Sequence, residues 1–296
     1  MGFINDLELI PDVKVLANEP MKKHTSLGVG GKVKYLITAG SLFSLNNLIN
    51  LLKRYRKKYK FIGNGTNVLV SDKGYDGVLI KLNVKDVYLS GNYVRAMAGA
   101  SLKQLSDFCL SHKFSGAESL GFIPATVGGA ITMNAGAYGQ SISDHVSYVE
   151  IIRNDKIIKI DKSDCNFSYR SSRFKNKKLP IVAVNFCFDK QDEKVILTNI
   201  KNIEEKRRQS FPQGKTCGSV FTNPLSDFAG RLIESAGLKG YRIGGAVVSD
   251  KHANFIINDK NATATDVYLL IEHVKSSVFQ KHAVSLKEEV DLIGEF

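Results

Sequence analysis

The sequence predicts an α+β fold in two or three domains, and three observations predict it. Helical spacing of apolar residues alternates with short β-like runs along all 296 residues, with no internal repeat. An apolar share of 43% is enough to fill a sizeable core at this length. Two glycine-laced stretches, 63–67 and 121–139, interrupt the pattern where neither a helix nor a strand reads naturally.

Taken in order, Leu42 to Lys58 carries Leu45, Leu48, Ile49 and Leu52 at helical spacing, and Lys60-Phe61-Ile62 reads as a strand entering the first glycine loop. Val78–Ile80 and Tyr93–Met97 read as strands, and Ser101 is the expected N-cap of a helix running to His112. A strand-rich stretch from Val146 to Phe188 closes a second domain. An amphipathic helix from Asp192 to Arg208, with Val195, Ile196, Ile200 and Ile203 on one face, leads to a third. There Ser226-Asp227 is expected to cap a helix ending near Gly237, Ala253–Ile257 reads as a strand, and Asp266–Lys281 reads as a helix. The expected domains are 1–72, 73–190 and 191–296.

A formal charge of +12 points to anionic partners without choosing among them. The runs Lys53–Lys58 and Lys206–Arg208 read as solvated helix faces, and the absence of tryptophan and of RNP-like or zinc-finger spacing ranks nucleic-acid binding low. Cys109, Cys165, Cys187 and Cys217 show no CxxC spacing, and the six histidines show no HxH or HExxH spacing, so no metal is expected. The opening residues carry neither a basic signal region nor a myristoylation pattern, so a reduced, cytoplasmic protein is expected. Ser119–Ser143 is the longest stretch without charge, but Pro124, Asn134 and its glycines make it a special loop rather than a membrane helix.

In Gly63-Asn64-Gly65-Thr66-Asn67, two residues without Cβ stand where a strand turns, so successive backbone N–H groups can face one anion. That suits a pyrophosphate. It is not the Rossmann fingerprint, because Val68 occupies the place of the third glycine, and an ordinary turn is the competing reading. In the second stretch, Pro124, Thr126, Val127, Gly128 and Gly129 run on to Asn134, Gly136 and Tyr138. Small residues here let main chain approach a flat ligand, and Thr126 and Asn134 offer hydrogen bonds, with structural Gly/Ala packing as the alternative. Two such loops in one region point to a bound dinucleotide.

These loops, together with His24–Gly31, Tyr169–Phe174, Gly218–Pro224, Ala236–Gly240, His252–Phe255 and Leu286–Val290, resemble the UDP-N-acetylenolpyruvoylglucosamine reductase family of bacterial cell-wall synthesis. The resemblance implies a two-part, PCMH-like FAD-binding module followed by a C-terminal α+β substrate domain, in a protein expected to be a monomer. It implies non-covalent FAD, NADPH as electron donor, and reduction of UDP-N-acetylglucosamine enolpyruvate to UDP-N-acetylmuramate. It assigns FAD contacts to Gly63, Asn64, Gly65, Thr66, Asn67, Pro124, Thr126, Val127, Gly128, Gly129, Asn134, Gly136 and Arg207. Tyr138, Tyr169 and Asn223 would surround the sugar and diphosphate. The distance from Arg170 to Ser219 leaves no room for the inserted tyrosine segment of the family's longer form, so the compact form is expected. Ser210 and Thr222 stand where the family commonly has lysines, and Lys215 or Arg208 is the expected substitute charge. His24 replaces a commoner asparagine.

The reaction itself sets requirements. A hydride arriving at the terminal vinyl carbon pushes charge onto the neighbouring carboxylate, which needs cationic stabilisation, and a proton must then reach the carbon bearing the ether oxygen. By the resemblance Arg170 is the electrophile, a permanently charged fork suited to a carboxylate. Ser219 matches the proton donor, and although a hydroxyl is a poor acid at neutral pH, an enediolate is a strong base. Glu289 matches the family's late glutamate, with Glu288 as competitor; on a strand the two face opposite ways. Cys217 reads as a buried thiol rather than a nucleophile. Two other readings stand beside this one: a flavin oxidase built on the same FAD module, and a basic binding protein without catalysis.

Overall fold

The computed structural model describes residues 2–175 and 179–296. The chain forms two compact units that alternate along the sequence. The first consists of Met1–Leu16, Tyr35–Gly63 and Gly77–Lys206, the second of Ala17–Lys34, Asn64–Asp76 and Arg207–Phe296.

The first unit holds two hydrophobic cores. Helices α1 (Phe3–Glu8) and α2 (Leu42–Arg54) build one of them with the parallel pairing of Tyr59–Phe61 and Val78–Ile80. Ser41 caps α2, its hydroxyl accepting the Ser44 N–H at 3.1 Å, and the expected stripe Leu45, Leu48, Ile49 and Leu52 is buried. The helix stops at Arg54 rather than Lys58. Arg56 takes a left-handed φ of 49°, and the Arg56 and Lys57 N–H groups return to the Lys53 and Leu52 carbonyls at 3.0 and 2.9 Å, the Schellman stop.

The second core lies under an antiparallel sheet of five strands, ordered Lys156–Asp161, Val146–Arg153, Ile181–Phe186, Tyr93–Met97 and Val87–Ser90. Helix α3 (Leu102–Ser111) packs there behind a capping box of Ser101 and Gln104. The uncharged stretch 119–143 is not the loop the sequence suggested. It contains helix α4 (Val127–Met133), capped by the Thr126 hydroxyl and ended by Asn134 at a φ of 44°. Seven residues with two glycines carry too little periodicity to announce a helix. Helix α5 (Glu193–Ser210) buries Ile196, with Ile200 and Ile203 half-buried, while Val195 is 44% exposed. Neighbours on a helix lie about 100° apart, so Val195 and Ile196 do not share a narrow face.

The second unit draws Leu27, Val29 and Leu69 into the same core as helices α6 (Ala229–Ser235) and α7 (Ala264–His282). Arg242–Ile243, Ala246–Val248 and Ile256–Asn258 form an antiparallel sheet, and Val68–Val70 pairs in parallel with Asp291–Ile293. Helix α6 begins at Ala229, and its cap differs from the expected Ser226-Asp227. Asn223 Oδ1 accepts the Ala229 N–H at 3.0 Å, and Asp227 Oδ1 accepts that of Phe228 at 2.7 Å. Among the described residues no helix is long and apolar enough to cross a membrane.

Candidate active site

In the first unit, α4 and the turn after it organise the second glycine stretch. Val127 and Gly128 donate their N–H groups to Ala100 and Ala98 carbonyls at 2.8 and 2.9 Å, and Gly129 donates to Thr126 Oγ1 at 3.2 Å. The start of this helix therefore spends its N–H groups internally, and its glycines contribute space. A Cβ at Gly63 would stand 2.6 Å from Thr126 Oγ1, and one at Gly128 would stand 3.0 Å from the Ala98 Cβ. Gly63 and Thr126 are thus adjacent, with Pro124 exposed just before them.

Asn134 is 6% exposed, and its amide is committed to the fold: Oδ1 accepts the Ser143 N–H at 3.3 Å and Nδ2 donates to the Ser168 carbonyl at 3.0 Å. Ser168 and Ser171 close a turn through bonds of 3.0 and 3.1 Å with Tyr169 and Arg170 at its tip. Arg170 takes a φ of 52°, a conformation that costs a side-chain-bearing residue about 1–3 kcal/mol and that clusters at working sites. Its Nη2 donates to the Gly136 carbonyl at 2.9 Å, and its guanidinium lies 5.2 Å from the Tyr169 ring centre. Tyr169 and Tyr138 are 57% and 38% exposed. Asn134, Gly136, Tyr169 and Arg170 therefore form one local cluster.

In the second unit, Gly65 adopts a φ of 70°, and a Cβ there would stand 2.0 Å from the His24 carbonyl oxygen. Ser26 donates its N–H to the Gly65 carbonyl at 3.0 Å, so the His24–Ser26 segment wraps the glycine turn. The His24 ring reaches Glu19 at 2.9 Å, a contact that gives this side chain a place in the fold. Among the described residues, the N–H groups of Gly65, Thr66 and Asn67 have no backbone acceptor. Three successive N–H groups without a backbone acceptor on a glycine turn suit a diphosphate, and this donor set fits the dinucleotide that the sequence suggests.

Ser219 follows Gly218, whose φ is 81°, and bridges to Phe255. Asn254, 4% exposed, clamps this segment: its carbonyl accepts the Val220 N–H at 2.9 Å, its Oδ1 accepts that of Phe221 at 3.0 Å, and its Nδ2 donates to the Phe221 carbonyl at 2.8 Å. The sequence shows Asn254 only as part of the His252–Phe255 marker, because the partner of its clamp lies 33 residues away. Glu289 donates its N–H to the Val220 carbonyl at 2.7 Å, which sets it beside Ser219. It precedes the final strand rather than riding on it.

Glu288 turns elsewhere. Its Oε1 accepts from Lys275 Nζ at 2.7 Å, and Lys275 also holds Glu272 at 2.8 Å. Burial pushes the Cys217 thiol up to about 12, and the Glu289 charge adds to the effect, so this sulfur is a poor nucleophile. Asn223 spends its Oδ1 capping α6, and the Arg207 guanidinium lies 4.3 Å from the Phe211 ring centre. Lys215 is exposed, its carbonyl accepting the Asn258 N–H at 2.9 Å. Among the described residues no group of three or more His, Cys, Asp or Glu is arranged to hold a metal ion.

Residues 33–159 match the FAD binding domain family model, and residues 209–293 match that of UDP-N-acetylenolpyruvoylglucosamine reductase, C-terminal domain. The UDP-N-acetylenolpyruvoylglucosamine reductase of Caldanaerobacter subterraneus subsp. tengcongensis is 40% identical over 291 residues, spanning 97% of this chain and 96% of its own. That of Bacillus subtilis (strain 168) is 38% identical over 287 residues, spanning 95% and 94%. The crystal structure of the UDP-N-acetylenolpyruvylglucosamine reductase from Thermus caldophilus matches with a TM-score of 0.82 and 31% identity, covering 95% of this chain and 99% of that one. With agreement of this extent in sequence and fold alike, the chain belongs to the UDP-N-acetylenolpyruvoylglucosamine reductase family.

Proposed function

We propose that this chain reduces the enolpyruvyl ether of UDP-N-acetylglucosamine enolpyruvate to UDP-N-acetylmuramate for peptidoglycan precursor synthesis, using non-covalent FAD and NADPH. The observation that carries the reading is the Glu289 N–H bond to the Val220 carbonyl at 2.7 Å, which sets the glutamate beside Ser219 in a unit that also holds the glycine loop Asn64–Asn67. When bound, FAD supplies a two-electron relay from NADPH to the vinyl carbon.

The chain's own residues do the rest. The Gly65–Asn67 N–H groups take the diphosphate, helped by Asn64, while Gly63, Pro124, Thr126, Val127, Gly128, Gly129, Asn134, Gly136 and Arg207 line the remaining cofactor. Arg170 forks onto the substrate carboxylate as charge develops there. Glu289 hydrogen-bonds that carboxylate or stabilises its developing charge, and Ser219 gives its proton to the carbon bearing the ether oxygen. Tyr138, Tyr169 and Asn223 receive the sugar and its diphosphate. In this division 1–72 and 73–190 supply most of the cofactor contacts, with Arg207 added from 191–296, while 191–296 and the Tyr138, Tyr169 and Arg170 side chains serve the substrate, in a cytoplasmic monomer that needs neither nucleic acid nor membrane.

The test is optical. Purified protein should carry a visible flavin spectrum that bleaches with NADPH and returns, under exclusion of oxygen, on adding the enolpyruvyl UDP-sugar. Colour restored by oxygen alone would replace the reductase with an oxidase, and protein that takes up no FAD would remove the flavin reading altogether.

A further inference from the structure

We propose that Asn67 is a positioning residue through which the cofactor loop sets the place of Glu289. Its Nδ2 donates to the Glu289 carbonyl at 3.0 Å, and its own carbonyl accepts the Asp291 N–H at 3.0 Å. One residue of the glycine loop thus grips the chain on both sides of Val290. The Glu289 N–H is held independently by the Val220 carbonyl at 2.7 Å. Both peptide groups flanking the Glu289 side chain are fixed, one to the segment carrying Ser219 and the other to the loop whose N–H groups suit a diphosphate.

The connection continues past the loop. Val68–Val70 pairs with Asp291–Ile293 residue for residue, Ser71 donates its N–H to the Ile293 carbonyl at 2.8 Å, and Asp72 caps α7 through Ala264 and Thr265 at 3.0 and 2.8 Å. Helix α7 supplies Lys275, which holds Glu288. The loop and the two glutamates are therefore joined by main-chain bonds, the Asn67 amide, the Asp72 carboxylate and one ion pair. An anion that gathers the Gly65, Thr66 and Asn67 N–H groups selects one conformation of the loop, and Asn67 passes that selection to Glu289. An aspartate at this position would turn a carboxylate oxygen toward the Glu289 carbonyl, so the device requires the amide.

The inference rests on the role proposed for Glu289, and hydrogen exchange separates the two claims. In the full-length protein, adding FAD should slow exchange in loop 63–67 and in segment 286–293 together. In Asn67→Ala, FAD should still slow exchange in the loop, while the gain in segment 286–293 should drop about tenfold, the effect of one lost hydrogen bond. Equal gains in segment 286–293 with and without the amide would overturn the coupling. For Asn67→Asp loaded with flavin, the return of colour on adding the UDP-sugar should slow about tenfold more than bleaching by NADPH does. Equal slowing of both steps would also overturn it. A Glu289→Gln variant with an undamaged second step would sink the role of Glu289 and leave the exchange result standing.

Discussion

Glu289 donates its N–H to the carbonyl of Val220, the residue after Ser219, and the surroundings of Ser219 and Glu289 set how each substitution should act. Ser219→Ala should leave flavin bleaching by NADPH nearly intact and slow the return of colour by orders of magnitude; equal loss of both steps would contradict proton donation. Glu289→Gln should damage the second step more than Glu288→Gln, because Glu288 is occupied by Lys275. The opposite ranking would exchange their roles. Gly129 permits a cleaner test of the cofactor cradle than Gly65, where a Cβ would collide with backbone. At Gly129, among the described residues outside its own helix backbone, an added Cβ meets only Thr126 Oγ1, at 3.2 Å, and alanine for glycine inside a helix is worth about 0.5–1 kcal/mol. Gly129→Ala should therefore hold or raise the Tm of the flavin-free protein while lowering flavin occupancy, and full occupancy would remove Gly129 from the cradle. At this scale the sequence displayed the residue types and hid their loyalties. Asn134 and Asn223 read as ligand contacts, and the sequence did not show that both amide atoms of Asn134 and the Oδ1 of Asn223 also hold Ser143, Ser168 and Ala229, partners set by the fold.

Among the elements, the cap of α3 was legible because its signal is local: Ser101 lies next to the helix it caps. The stop of α2 at Arg54 and the Asn223 bond at the start of α6 were not read. The cap of α7 is different, because Thr263 acts locally while Asp72 arrives from 192 residues away, accepting from Ala264, Thr265 and the Thr265 hydroxyl. Asp72→Ala should cost about 1–2 kcal/mol, the range of a lost helix cap, read as a lower urea midpoint. An unchanged midpoint would show that Thr263 alone suffices. The α4 segment was illegible for the converse reason. Its helix is held by Thr126 and by N–H bonds to Ala98 and Ala100, so a stretch too short and too rich in glycine to persist alone is helical in place.

For the whole molecule, the polar row across the five-stranded sheet ties stability to pH. Burial pushes the Glu150 carboxyl up, but hydrogen bonds from Arg95 and Asn185 outweigh it and hold the group below the ordinary carboxylate range. The stability this contributes is complete above the unfolded value of about 4.3 and is lost as pH falls through the lower folded value. Glu150→Gln should be destabilised near neutral pH, since Arg95 loses its buried partner, and should lose less further stability on acidification than the parent does. Parallel acid profiles in urea unfolding would contradict this.

By itself the sequence determined the α+β class, the first glycine loop, the Leu45–Leu52 stripe of α2 and the family, because periodicity, turn chemistry and ordered motifs are written locally along the chain. Tertiary structure decided that residues 17–34 and 64–76 fold with the last ninety, and that Glu288 answers to Lys275. It also decided that Asn67 and Val220 hold Glu289 from two sides. Those choices depend on hydrogen bonds between residues far apart in sequence, and only the folded chain brings their donors and acceptors within 3 Å of one another.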